Sequence, residues 1–232
     1  MGNTVRRFLN ARSPLRLLEK GLHGGLGAGN LGLVLAGHGV GKSSFVVGVA
    51  LDELLRSKPV LHVACDHTVQ HVRDHYDTVF EDLATTTHLE NPAIVRAELD
   101  RLRRIRAYPP SAFDAKRLRE ALDLERELGV RPELIVVDGL DVESRSREEL
   151  EQWVKLAREA QAEVWITANA PGERIDGVPP ALRPLEDLFA VILALEPGSE
   201  AVALRALKDH GNPDVAALHV ALDPRTLLLV RS

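Results

Sequence analysis

The chain has 232 residues, 45% of them hydrophobic and 27% charged, an ordinary composition for a folded protein with a sizeable core, and its length fits one large domain or two small ones. A formal net charge of −5 argues against a generally basic nucleic-acid binder, though not against a local basic channel. Aromatics are only 4%, so the core is expected to be Leu, Val, Ile and Ala, and the one cysteine, Cys65, excludes an internal disulfide and fits a reducing, cytoplasmic setting.

Residues 1–20 read as an N-terminal helical arm. Val5, Phe8 and Leu9 form a helical stripe among Arg6, Arg7 and Arg12, and Ser13-Pro14 starts a second short helix. The arm covers either its own domain or a neighbouring subunit. No apolar run follows the first arginines, so no signal peptide is expected, and no apolar stretch is long enough to span a bilayer. Residues 21–232 read as one domain. A glycine-dense loop over 21–30 leads to a buried strand over 31–36, a glycine loop, and a helix from about 43 to 57. A strand at 59–65 ends in Asp66-His67-Thr68. Helices at about 69–84 and 93–102, a short strand at 104–108 and a helix at 115–128 follow. Leu118, Leu122, Leu124 and Leu128 give that last helix its apolar face, and Gly129 ends it. Leu134-Ile135-Val136-Val137 has no polar alternation, the pattern of a strand covered on both faces, and Asp138 closes it. A helix at 147–160, a strand at 163–168 and a Pro/Gly-rich loop at 170–184 come next. Strands are expected at 189–195, 201–207, 216–222 and 226–230, the last two joined by Asp223-Pro224-Arg225. This alternation predicts an α/β fold: a mostly parallel sheet flanked by helices, with a C-terminal antiparallel edge.

The richest chemistry lies between the first strand and its helix, in Gly37-His38-Gly39-Val40-Gly41-Lys42-Ser43-Ser44. Glycines let successive backbone N–H groups wrap an anion, and the helix start adds its own free N–H groups and positive dipole end. Strand, glycine loop and helix are the context of a P-loop. Lys42 would then reach the β- and γ-phosphates, and Ser43 would hold Mg²⁺. The pattern's first glycine is Ala36 here, a small residue. His38 either touches a phosphate or points outward.

Asp138 sits where ligand sites lie in open α/β sheets. It reads as the carboxylate that holds Mg²⁺ opposite Ser43, or as an Asp that opens a turn before Gly139. Asp66 ends the strand after the P-loop helix, on the same sheet edge. It reads as the group that orients the attacking water, or as the N-cap of the following helix, a role Thr68 can also fill. His67, His71 and His75 recur every fourth residue near Cys65, which suits a solvated helix face better than a metal site. Arg101, Arg103, Arg104 and Arg106 form a basic cluster. Glu98 and Asp100 beside it favour local pairing over nucleic acid.

Taken together, these residues resemble the RecA-like ATPases, in the branch of KaiC and the DnaB helicases. Gly24-Gly25-Leu26 through Ser44 is similar to that family's opening. Leu61 to Asp66 is similar to the strand that ends in its catalytic glutamate, and Leu134 to Asp141 to its Walker B strand. Asn169 matches a polar position that senses the γ-phosphate. Lys208-Asp209-His210-Gly211 resembles a Lys-x-Arg-Gly segment whose lysine and arginine act on the neighbouring subunit's nucleotide. The resemblance implies a RecA-like fold and a homo-oligomer, often a hexameric ring. It also implies ATP and Mg²⁺ as cofactors, with ATP or ADP bound between subunits. Asp66 is one methylene shorter than the family's glutamate, and His210 replaces an arginine finger worth roughly 10³–10⁵ in rate. Both departures point to retained nucleotide binding and slow hydrolysis, with nucleotide state coupled to assembly or to a protein partner. The alternative is a non-hydrolysing regulator or scaffold. A DNA-translocating motor ranks last, and no membrane partner is expected.

Overall fold

The computed structural model describes residues 13, 15–109, 111–170, 172, 174–212, 215 and 218–232. The stripe of Val5, Phe8 and Leu9, together with Pro14, lies outside them. The first helix among the described residues, α1 (Leu15–Gly21), buries Leu15 and Leu18 in the core of its own domain.

β1 (Leu31–Ala36) is buried along its whole length and leads into α2 (Lys42–Leu55). β2 (Val60–Ala64), α3 (Val69–Thr86), α4 (Pro92–Leu102) and β3 (Arg103–Ala107) follow. α5 (Ala115–Glu127) leads to β4 (Leu134–Asp138), and α6 (Arg147–Ala160) to β5 (Glu163–Asn169). A 3₁₀ turn (Arg183–Leu188) precedes β6 (Val191–Pro197), β7 (Val202–Asp209), β8 (Val220–Leu222) and β9 (Leu229–Arg231). Among the described residues the strands form one sheet in the order β3-β2-β4-β5-β1-β6-β7-β8-β9. β3 through β6 are parallel, and β7 to β9 add the antiparallel edge.

Two apolar layers sandwich the sheet. Val34, Val60, Val136 and Leu193 face α1 to α4, while Leu33, Leu61, Ile135, Val137 and Ile166 face α5 and α6. Helices on both faces explain why the central strands are apolar without alternation. The expected and observed boundaries differ where ladders decide them. β5 runs one residue further than its apolar run because Asn169 is in register with Ala36. The strand expected at 216–222 shortens to Val220–Leu222, with 216 and 217 outside the described residues. No helix among the described residues is long and apolar enough to cross a membrane.

Gly32 explains one feature of β1. It lies opposite Trp165 of β5, whose indole packs edge-on against Phe45 of α2 at 6.0 Å between ring centres. A Cβ on Gly32 would lie 2.5 Å from the indole, so the strand carries a glycine where a bulky β-former would suit the backbone better. Gly32→Val is expected to displace Trp165 and cost about 2 kcal/mol, read as a lower urea midpoint. An unchanged midpoint would show that the indole has room to move.

Candidate functional site

The parallel registers bring four strand ends to one edge: Ala36 of β1 beside Asn169 of β5, and Asp138 of β4 beside Ala64 of β2. From β1 the chain turns through Gly37–Gly41 into α2. Gly39 and Gly41 have φ of 75° and 118°, a region that favours glycine. A Cβ at Gly41 would also meet the Leu222 side chain at 2.6 Å. Gly41 is the N-cap of α2 and makes no side-chain cap hydrogen bond to its first turn. His38 and Gly39 are exposed, and Gly37, Val40, Gly41, Lys42 and Ser43 are half-buried.

The Lys42 ammonium folds back into the loop and donates to the carbonyls of Ala36 (3.2 Å) and Gly37 (2.9 Å). Burial lowers its pKa, and the charges of Asp138 and Asp66 oppose that shift. The two carboxylates that the sequence singles out thus act on the loop lysine.

Asp138 is 3% exposed. Its Oδ1 accepts from the Thr167 hydroxyl at 2.6 Å, and Thr167 in turn accepts from the Gly139 N–H at 2.8 Å. This clamp between β4 and β5 fixes the carboxylate and leaves its other oxygen free of that bond. Sequence reasoning passed over Thr167. Its signal was a hydroxyl inside the apolar run Val164-Trp165-Ile166.

Asp66 is exposed and leans on Gly139. A Cβ on Gly139, whose φ is 79°, would lie within 2.4–2.7 Å of the Asp66 carboxyl group. Asp66 is not the cap of α3: Thr68 is, its hydroxyl accepting from the His71 N–H at 3.2 Å. The N-cap alternative therefore falls to Thr68, and the Asp66 side chain stays at the strand ends. Asn169 is exposed at the same edge.

Behind the loop lies a buried polar layer. Ser44 is buried, its hydroxyl 3.1 Å from His75 Nε2, so its side chain faces α3 instead of the loop opening. Fully buried His62, in mid-strand on β2, has Nδ1 3.1 Å from the Tyr76 hydroxyl, while its Nε2 has no hydrogen-bond partner among the described residues. Arg103 sits over the Tyr76 ring at 4.6 Å. Burial pushes the His62 imidazole down to about 4, with Asp138 opposing, and lowers His75 in the same way. The histidine face expected on α3 is thus divided. His67 precedes the helix and stacks on His71 with ring centres 4.2 Å apart, while His75 turns inward.

Lys208 and His210 lie elsewhere. Lys208 and Asp209 pair with Ile192 and Val191 at the start of β6, the end of the sheet opposite the glycine loop. The Lys208 ammonium donates to the Glu186 carbonyl at 2.7 Å, and His210 Nε2 is 3.0 Å from the Gly25 carbonyl. In the β3 basic cluster, Arg103 pairs with Asp100, while Arg104 and Arg106 pair with Glu125, which is 1% exposed. Among the described residues one acidic trio, Glu19, Asp52 and Glu53, brings its ligand atoms close enough to share an ion. Arg16, Arg56 and Lys58 already neutralise those three carboxylates.

No family model matches the chain, and no curated protein sequence matches it either.

His62 gives a pH prediction. Its folded pKa is depressed from 6.5 to about 4, so between those values the unfolded chain binds the extra proton and the folded chain does not. The stability from the neutral imidazole is full above pH 6.5 and is lost as the pH falls towards 4. At pH 5 the loss is about 2 kcal/mol. Urea unfolding at pH 7 and pH 5 is expected to show that loss in the wild type and a smaller one in His62→Asn, which cannot titrate.

Proposed function

We propose that this chain is a RecA-like P-loop ATPase of the KaiC and DnaB-helicase type, which binds ATP with Mg²⁺ and hydrolyses it slowly. One observation carries the reading. The glycine loop, the open N-terminus of α2, Lys42, Asp138 and Asp66 all meet at the carboxyl edge of a parallel sheet, where such sheets hold ligands.

In this reading the backbone N–H groups of Gly37 to Ser44 and the Lys42 ammonium hold the phosphates. The Ser43 hydroxyl and the Asp138 carboxylate offer hard oxygen donors, the set that Mg²⁺ prefers, and Thr167 keeps the carboxylate in place. The ion, when bound, neutralises charge developing on the transferred phosphoryl group. Asp66 orients the attacking water beside Gly139, and Asn169 contacts the γ-phosphate from the end of β5. Lys208 and His210, at the far end of the sheet, serve the triphosphate of a neighbouring copy. The protein therefore works as an assembly whose shape or partner affinity follows the nucleotide. The short reach of Asp66 and the imidazole in place of a guanidinium keep turnover low.

Binding without turnover is the second reading. It is supported by the contacts of Lys208 and His210, both of which are taken up within their own chain by backbone carbonyls. A DNA motor has less support, because Arg103, Arg104 and Arg106 are paired with acids.

Calorimetry with MgATP should show binding that Lys42→Ala weakens at least about tenfold, with any turnover falling to background. Equal affinity in the variant would end the proposal. Combining Asp66→Glu with His210→Arg is expected to raise turnover by about tenfold or more in the assembled protein. Brisk wild-type turnover would exclude the second reading.

A further inference from the structure

The first three residues of α2 divide their work by direction. Lys42 folds back onto the loop carbonyls, Ser43 follows it half-buried, and Ser44 is buried with its hydroxyl 3.1 Å from His75 Nε2. Successive helix residues project about 100° apart, so adjacent serines serve different faces. Ser44 therefore gives the glycine-loop helix a polar hold on α3.

That hold matters because α3 is thinly anchored where it begins. From Asp66 to Asp74, Val72 is buried, Val69 is half-buried, and every other residue is exposed. The next two residues attach the helix on two sides. Tyr76 reaches His62 of β2 at 3.1 Å between hydroxyl and Nδ1, and His75 reaches Ser44 of α2. Burial lowers the His75 pKa, with Asp138 opposing, which favours the neutral ring. A neutral imidazole has one nitrogen that donates and one that accepts, so it can meet a hydroxyl in either sense. Ser44, being buried, loses heavily if that partner leaves. Asp66 stands two residues before the Thr68 cap, so the path of α3 bears directly on where its carboxylate lies beside Gly139.

We propose that His75 is a positioning residue: its contact with Ser44 ties α3 to the first turn of α2 and so sets Asp66 against the phosphate loop. The inference rests on the nucleotide reading above and adds a route from the loop to the water-orienting carboxylate. His75 touches no substrate. When Ser43 is fixed by the bound metal and phosphates, Ser44 beside it is fixed too, and His75 passes that position to α3.

The test uses the full chain with MgATP and compares wild type, His75→Ala and His75→Gln, whose terminal amide stands where Nε2 stood. His75→Ala should keep MgATP affinity within about threefold by calorimetry and lose about tenfold or more in turnover, and His75→Gln should recover most of that loss. In an Asp66→Ala background, His75→Ala should cost no further turnover, because the two act as one unit. Amide hydrogen exchange gives a readout that needs no turnover. MgATP should slow exchange at Val72 to Tyr76 about fivefold or more in the wild type and in His75→Gln, and leave it unchanged in His75→Ala. The inference is overturned if affinity falls together with turnover in His75→Ala, if its cost persists in full without Asp66, or if MgATP slows exchange equally in all three proteins. If the wild type binds no MgATP, the phosphate site itself is refuted and this link with it, an outcome distinct from failure of the link alone.

Discussion

The hydrogen bond from Thr167 to Asp138 is the constraint on which the site depends. A carboxylate at 3% exposure is costly to bury unless something donates to it, and the donor here comes from the neighbouring strand. That donor is in place because β4 and β5 run parallel with Val137 opposite Ile166. A slip of one residue would turn Thr167 to the other face and leave Asp138 without its partner. The same ladder sets Gly139, whose N–H completes the clamp and whose missing side chain admits Asp66.

Around this fixed point the molecule separates its chemistry by position. Charge collects on one flank of the glycine loop, while a layer of His62, His75, Tyr76 and Ser44 lies behind it on the helical side. The arginines that crowd the sheet edge at β3 are held by Asp100 and Glu125. Another buried carboxylate, Asp209, meets His23 Nδ1 at 2.6 Å at the opposite end of the sheet, where it joins the loop before β1 to the end of β7. Lys208 and His210 flank that contact. Their distance along the sheet from the glycine loop of their own chain is what gives the proposed assembly its physical meaning.

How much was readable in advance depended on how local each signal was. The run from Leu31 to Ala36, the three glycines and Lys42 stand next to one another, so strand, loop and helix start were legible together. Arg147 to Ala160 came out with its bounds intact because its amphipathic pattern and its Ser146 cap are both local. Asp66 was undecided between orienting a water and capping the next helix, because Asp and Thr both cap helices, and the cap fell to Thr68. Thr167 and His62 were missed, and His75 was placed on a solvated face, for one common reason. Each acts on a partner between 14 and 31 residues away, and no periodicity within a strand or helix encodes such a pairing.

The order of residues by itself determined that this chain alternates strands with helices, that the strand beside Asp138 is covered on both faces, and that a glycine loop with a lysine opens the first long helix. These follow from short-range sterics and from apolar spacing, which act within a few residues. Strand order, the meeting of Asp138 with Thr167 and the inward turn of His75 were decided only by tertiary structure. They depend on which strands become neighbours and in what register, a choice made by burying the whole sheet between two helical layers at once.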